Sequence, residues 1–191
     1  METVYINPII NEIEVKSANN RRIYLTGYID EEMAIKVSYF TNKILEMDKL
    51  QPPEKKEITF IINSNGGSVI YGNSILTNIQ LMKNNGYKII GKVESMAYSM
   101  AFDILVNCDY RIGGKYSTYL LHQTAFGIGG ELKEVENEFE FQKKIWEMSI
   151  DYYVENTKLT REQAEEIYRS KINKYFTSYE ALDNGILNEI I

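Results

Sequence analysis

The sequence predicts an α/β fold built around buried parallel strands, and three observations carry that expectation. Stretches of strand and helix character alternate along the chain. Residues 58–62 (ITFII) form an uninterrupted apolar run, the pattern of a strand covered on both faces. The length of 191 residues, with 44% hydrophobic and 25% charged side chains, suits one domain (1–191) with a sizeable core.

Each element follows from a local signal. Residues 22–27 (RIYLTG) read as a strand ending at Gly27. Asp30 caps the next helix, whose first turn carries Glu31 and Glu32 at the positive end of the dipole. Met33, Val37, Phe40 and Ile44 recur at helical spacing on one face. The apolar strand 58–62 runs into Asn63-Ser64-Asn65-Gly66-Gly67-Ser68, and a helix with Ile75, Ile79 and Met82 follows until Asn84-Asn85-Gly86 breaks it. Residues 87–93 (YKIIGKV) return as a strand, 99–105 can form a short helix, and 109–112 and 119–121 are strands separated by Gly113-Gly114. From residue 131 to about 158 runs an amphipathic stretch without Pro or Gly, longer than the usual globular helix and suited to a projection or an oligomer contact. Two capping boxes follow, Thr160 with Gln163 and Thr177 with Glu180, and Gly185 closes the last helix.

Composition narrows the function classes. A net charge of −6 with no block of basic residues argues against a nucleic-acid partner. No run of about 18 apolar residues is present to span a membrane, and the N-terminus has neither the basic start nor the apolar stretch of a signal peptide. One cysteine, Cys108, precludes an intrachain disulfide and fits a reducing compartment. With one Cys and one His the chain is poorly equipped for a zinc site. A cytoplasmic protein without metal or cofactor is the expectation.

Three segments could carry chemistry. Gly66-Gly67, between a buried strand and a helix, can turn backbone N–H groups on a substrate at close range and stabilise a developing oxyanion; a Gly pair serves a plain tight turn equally well. Ser99, at a strand-to-helix junction, is placed as nucleophiles at such elbows are, although G-x-S-x-G is absent and a serine there can simply cap a helix. His122, at the end of an apolar strand, is the only histidine and therefore the only candidate for histidine-dependent chemistry. A donor pair, a serine and a histidine at the ends of successive strands meet the requirements for nucleophile, base and oxyanion hole.

These segments resemble, in order, those of the Clp protease proteolytic subunit (ClpP) family. Residues 61–68 (IINSNGGS) are similar to its INSPGGS, residues 96–105 (MAYSMAFDIL) to its MAASMGAFLL, and Leu121-His122-Gln123 to its IHQP. Residues 22–27 and 180–187 match as well, so the likeness spans about residues 21–191. The resemblance implies a spiral of ββα units, shared with crotonases, with residues 131–158 as a long projecting handle helix. It implies a serine endopeptidase with Ser99 as nucleophile, His122 as base, and the N–H groups of Gly67 and Met100 as oxyanion hole. It also implies two stacked heptameric rings of identical subunits, peptide or unfolded polypeptide substrates, and an AAA+ unfoldase that uses ATP, which this chain itself does not.

Three positions depart from the family. Its third triad member is normally Asp before a segment like Tyr-Phe-Met-Ser, and here Asn173 precedes Tyr175-Phe176-Thr177-Ser178. Asn can orient an imidazole but carries no charge to stabilise imidazolium, and the change costs on the order of 10⁴ in kcat in a serine protease of another fold. Asn65 replaces Pro before the glycines, which loosens that turn. Residues 1–20 do not resemble the family's axial N-terminal segment. A weakly active or inactive structural ring subunit, and a stand-alone processing protease of phage type, therefore stand as alternatives. An acyl-CoA enzyme of the crotonase type would need no serine–histidine pair.

Overall fold

The computed structural model describes residue 16 and residues 20–125 and 127–191. The divergent segment singled out at 1–20 lies outside them except for Lys16 and Asn20. Thirteen elements follow: β1 (Arg22–Ile29), α1 (Glu31–Leu50), β2 (Glu57–Gly67), α2 (Val69–Asn84), β3 (Lys88–Tyr98), α3 (Met100–Val106), β4 (Tyr110–Gly113), β5 (Thr118–Leu121), α4 (Leu132–Asn156), α5 (Arg161–Ser170), β6 (Lys174–Thr177), α6 (Ser178–Asp183) and β7 (Glu189–Ile190).

The helix boundaries follow the capping chemistry. Asp30 accepts from the N–H of Met33 at 3.0 Å and opens α1, and Met33, Val37, Phe40 and Ile44 face the core. Reciprocal capping boxes start α5 at Thr160/Gln163 and α6 at Thr177/Glu180, and a third, Glu131/Glu134, starts α4.

Strands β1, β2, β3, β4 and β7 lie side by side, all parallel. Two strand ends differ from the sequence expectation. Gly27 does not end β1 but sits at a register shift, where β2 carries one residue more between Asn63 and Gly66 than β1 does between Thr26 and Tyr28, and the strand continues to Ile29. Strands β2 and β3 each run about five residues past their apolar cores, to Gly67 and Tyr98, because segments 63–67 and 94–98 pair with neighbouring strands. Strand β6, too short and polar to show as a period, forms by pairing antiparallel with β5.

Strand β3 forks. Ile90–Val93 pair with β4, whereas Met96–Tyr98 pair with β5. The chain makes room for this at Gly113, where a Cβ would stand 2.2 Å from the Tyr119 hydroxyl and 2.5 Å from Leu187. The fork gathers the carboxyl ends of β2, β3 and β5 at one edge, where open parallel sheets place their ligands. Beneath it α3 is buried on every side except at one polar residue, Asp103. Among the described residues no helix is long and apolar enough to cross a membrane.

Candidate active site

Ser99 lies between β3 and α3 with φ 54° and ψ −127°. This left-handed backbone is one that a residue with a Cβ adopts at a cost of about 1–3 kcal/mol, and it holds Oγ clear of both elements. Its N–H donates to the carbonyl of Leu120 at 2.9 Å. The register Tyr98↔Leu120 therefore carries over the end of β3 and brings the residue just past β5, His122, alongside the serine. His122 Nε2 stands 2.7 Å from Ser99 Oγ, and both side chains are half-buried. With Nε2 as acceptor, the proton of neutral imidazole sits on Nδ1.

The glycine pair backs the serine. At Gly66 (φ 91°) a Cβ would meet the Tyr98 carbonyl at 2.6 Å, Ser99 Cβ at 2.8 Å and the Met100 nitrogen at 3.1 Å. At Gly67 a Cβ would press on Ile29 O at 2.3 Å. Their amides are used differently. Gly66 N–H donates to the buried Ser64 Oγ at 3.1 Å, and that hydroxyl donates to Gly27 O at 2.5 Å, tying the turn to β1 at the register shift. Ser68 N–H donates to Ile29 O at 2.9 Å. Successive backbone groups of a strand point to opposite edges, so Gly67 N–H is directed away from β1, to the edge where β3 lies. Met100 opens α3, and the first N–H groups of a helix have no intrahelical partner. Ser64 escaped the sequence reading; it looked like one more polar residue of a turn, and its bond to a carbonyl 37 positions away has no local signal.

Asn173 lies in the same cleft as His122, a space of about 480 Å³ also lined by Gln123, Phe139, Trp146 and Lys171. Its side chain is exposed, and among the described residues no hydrogen bond joins it to His122. The structure thus brings Ser99, His122 and the glycine pair together and leaves Asn173 in the same cleft without a hydrogen bond to the imidazole among the described residues.

Beneath the serine, Asp103 accepts a hydrogen bond from Tyr153 of α4. Burial pushes its carboxyl up to about 6, against the opposing pull of that hydrogen bond. Tyr153 is pushed well up by burial and by Asp103, and Tyr168 of α5 up to about 12 by the same two causes. Arg111 ties the same elements from the other end, donating at 3.0 Å to the carbonyls of Val106, Asn156 and Gly185.

A serine hydroxyl against a neutral imidazole, beside two amide donors, can attack a carbonyl and hold the oxyanion that results. Comparison with known proteins points the same way. The Clp protease family, as a sequence model, matches residues 9–191. The chain is 28% identical over 173 residues to ATP-dependent Clp protease proteolytic subunit 3 of Rhodococcus jostii, covering 90% of this chain and 81% of that protein. It is 28% identical over 196 residues to proteolytic subunit 2 of the Bifidobacterium longum ATP-dependent Clp protease, covering 97% and 84%. For proteolytic subunit 2 of Thermobifida fusca the identity is 26% over 199 residues, covering 98% and 89%.

Proposed function

The chain belongs to the Clp protease family, and we propose that it is a serine endopeptidase in which Ser99 is the nucleophile and His122 the general base. The observation that carries this is the 2.7 Å approach of His122 Nε2 to Ser99 Oγ at a left-handed strand–helix junction. Ser99 Oγ bonds to the scissile carbonyl carbon as its proton passes to His122 Nε2. The carbonyl oxygen, now an anion, takes the N–H groups of Gly67 and Met100. Collapse breaks the C–N bond, His122 protonates the departing amine, and the acyl group stays on Ser99. Water, deprotonated by His122, then releases the acid and returns the proton to Ser99.

Asn173 is the proposed third member, and it must turn toward Nδ1 before its carbonyl can hold that proton. Without a carboxylate the imidazolium gains no charge stabilisation, so the proposed enzyme is slow. Assembly into stacked rings and feeding by an ATP-dependent unfoldase are part of the same proposal; the relatives' names and the unpacked face of α4 support it. The chemistry draws on amino-acid groups alone, ATP being used by the partner, and the proposed place of action is the cytoplasm.

A fluorophosphonate probe tests the core of this. Ser99 should be labelled in the wild type and its labelling should fall about 10²–10⁴-fold in His122→Ala. Asn173→Asp should raise peptide hydrolysis at least about tenfold, toward the 10⁴ ceiling set by the reverse change elsewhere. A folded, assembled protein left unlabelled at Ser99 would overturn the assignment.

A further inference from the structure

The cleft beside His122 has a chemical character of its own. Two aromatic rings of α4, Phe139 and Trp146, wall one side at right angles to each other with centroids 6.5 Å apart. Lys171 and Asn173, from the turn between α5 and β6, form the other. Among the described residues no Asp or Glu lines the space, and Lys171 is its one formal charge, in a chain whose 27 acidic residues outnumber 21 basic ones.

Two further features of the lysine bear on its role. Of the neighbouring cations, Lys143 pairs with Glu140, Arg161 with Glu147 and Asp151, and Arg169 with Glu165, whereas Lys144 and Lys174, like Lys171, have no ion pair among the described residues. Among the described residues Lys171 has neither an ion-pair nor a hydrogen-bond partner. It also ends α5 in the left-handed conformation, φ 53° and ψ 32°, where Gly would sit without the cost a Cβ brings. Closing the helix does not call for a lysine there. A cation held at a mildly strained position, unpaired, next to a catalytic base, is an arrangement that serves a ligand rather than the fold.

We propose that Lys171 recognises an acidic side chain of the substrate peptide close to the scissile bond, so that the preferred substrates carry Glu or Asp there. This rests on the assignment of Ser99 and His122 as the reacting pair. The substrate carboxylate pairs with the Lys171 ammonium, the amides of Gln123 and Asn173 offer further hydrogen bonds, and the methylenes of Glu lie on the Phe139 and Trp146 rings. A chain terminus fits less well, because an endopeptidase holds polypeptide on both sides of the bond it cuts.

Trp146 is the only tryptophan of the chain and lines this cleft, so its emission reports occupancy without catalysis. The Ser99→Ala protein is titrated with short end-blocked peptides that differ only in Glu, Gln or Lys at one position. The Glu peptide should bind about tenfold tighter than the Gln peptide, the scale of one charge-assisted contact. Lys171→Met should erase that ratio, and Lys171→Glu should invert it in favour of the Lys peptide. Equal Kd for Glu and Gln peptides, a preference that survives Lys171→Met, or no Glu-specific response at millimolar peptide would each overturn the proposal. Probe labelling of wild-type Ser99 reads the catalytic assignment separately: an unlabelled serine with the Glu preference intact sinks that assignment alone, and a labelled serine without the preference sinks this one.

Discussion

Ser99 carries two demands that pull against each other. As a member of the chain it is held at φ 54°, ψ −127°, a region where only glycine is comfortable. As the proposed nucleophile it needs that turn, because the turn lifts Oγ out of both β3 and α3 toward His122. Ser99→Gly should therefore stabilise the folded protein by about 1–3 kcal/mol, with Tm rising roughly 2–4 °C per kcal/mol, while abolishing probe labelling. Calorimetry on the two proteins measures the strain directly, and an unchanged or lower Tm would mean that the position stores none. Gly66 is the complementary case: with Ser99 Cβ only 2.8 Å from where its own Cβ would be, its hydrogen is what lets Ser99 sit there.

At the scale of elements, α3 is a short buried helix held at three places: by the Ser99–Leu120 backbone bond at its start, by Arg111 at its end, and by Asp103–Tyr153 in its first turns. The last of these makes stability depend on pH. Asp103 folds with its carboxyl raised to about 6, whereas in the unfolded chain it ionises near the ordinary value of about 4. Between those two values the folded state binds the extra proton, so stability falls as pH rises from about 4 through 6 and levels above it. Asp103→Asn keeps an acceptor for Tyr153 and removes the charge. It should match the wild type near pH 4 and exceed it by about 2–3 kcal/mol above about pH 7, read by urea unfolding at both pH values. A gap that does not change with pH would show that the group does not titrate in this window.

For the whole molecule, the telling element is α4. Of its 25 residues only Ile150 and Tyr153 are buried, both near its C-terminal end. Phe141 and Met148, seven residues apart on one side of the helix, stand 57% and 66% exposed, and Leu132 stands 77% exposed near its start; the proposed ring assembly would cover the Phe141–Met148 side. Phe141→Glu with Met148→Glu should leave the monomer folded, since neither residue packs in its own subunit, and should reduce the mass measured by sedimentation. An unchanged mass would place the assembly contact elsewhere.

How much of this was legible beforehand follows from the range over which each feature is encoded. Caps, capping boxes and the 3.6-residue period act within a single turn, so Asp30, Thr160, Thr177 and the faces of α1 and α2 could be read directly from the chain. The apolar cores of β2 and β3 were legible for the same reason, as were Gly66-Gly67, Ser99 and His122 as candidates. Everything set by pairing was not. The five extra residues of β2 and β3, the antiparallel partner β6 and the fork of β3 depend on strands 20 to 60 positions away, and no local propensity encodes a register. That register decides the chemistry: Tyr98↔Leu120 sets His122 against Ser99, Ser64 takes up the Gly66 amide, and Lys171 arrives in the cleft of His122 while Asn173 stops short of the ring. By itself the sequence determined which residue types were available and which helices would form. The tertiary structure alone decided which of them meet, because contact between distant side chains is a property of register and packing rather than of composition or local pattern.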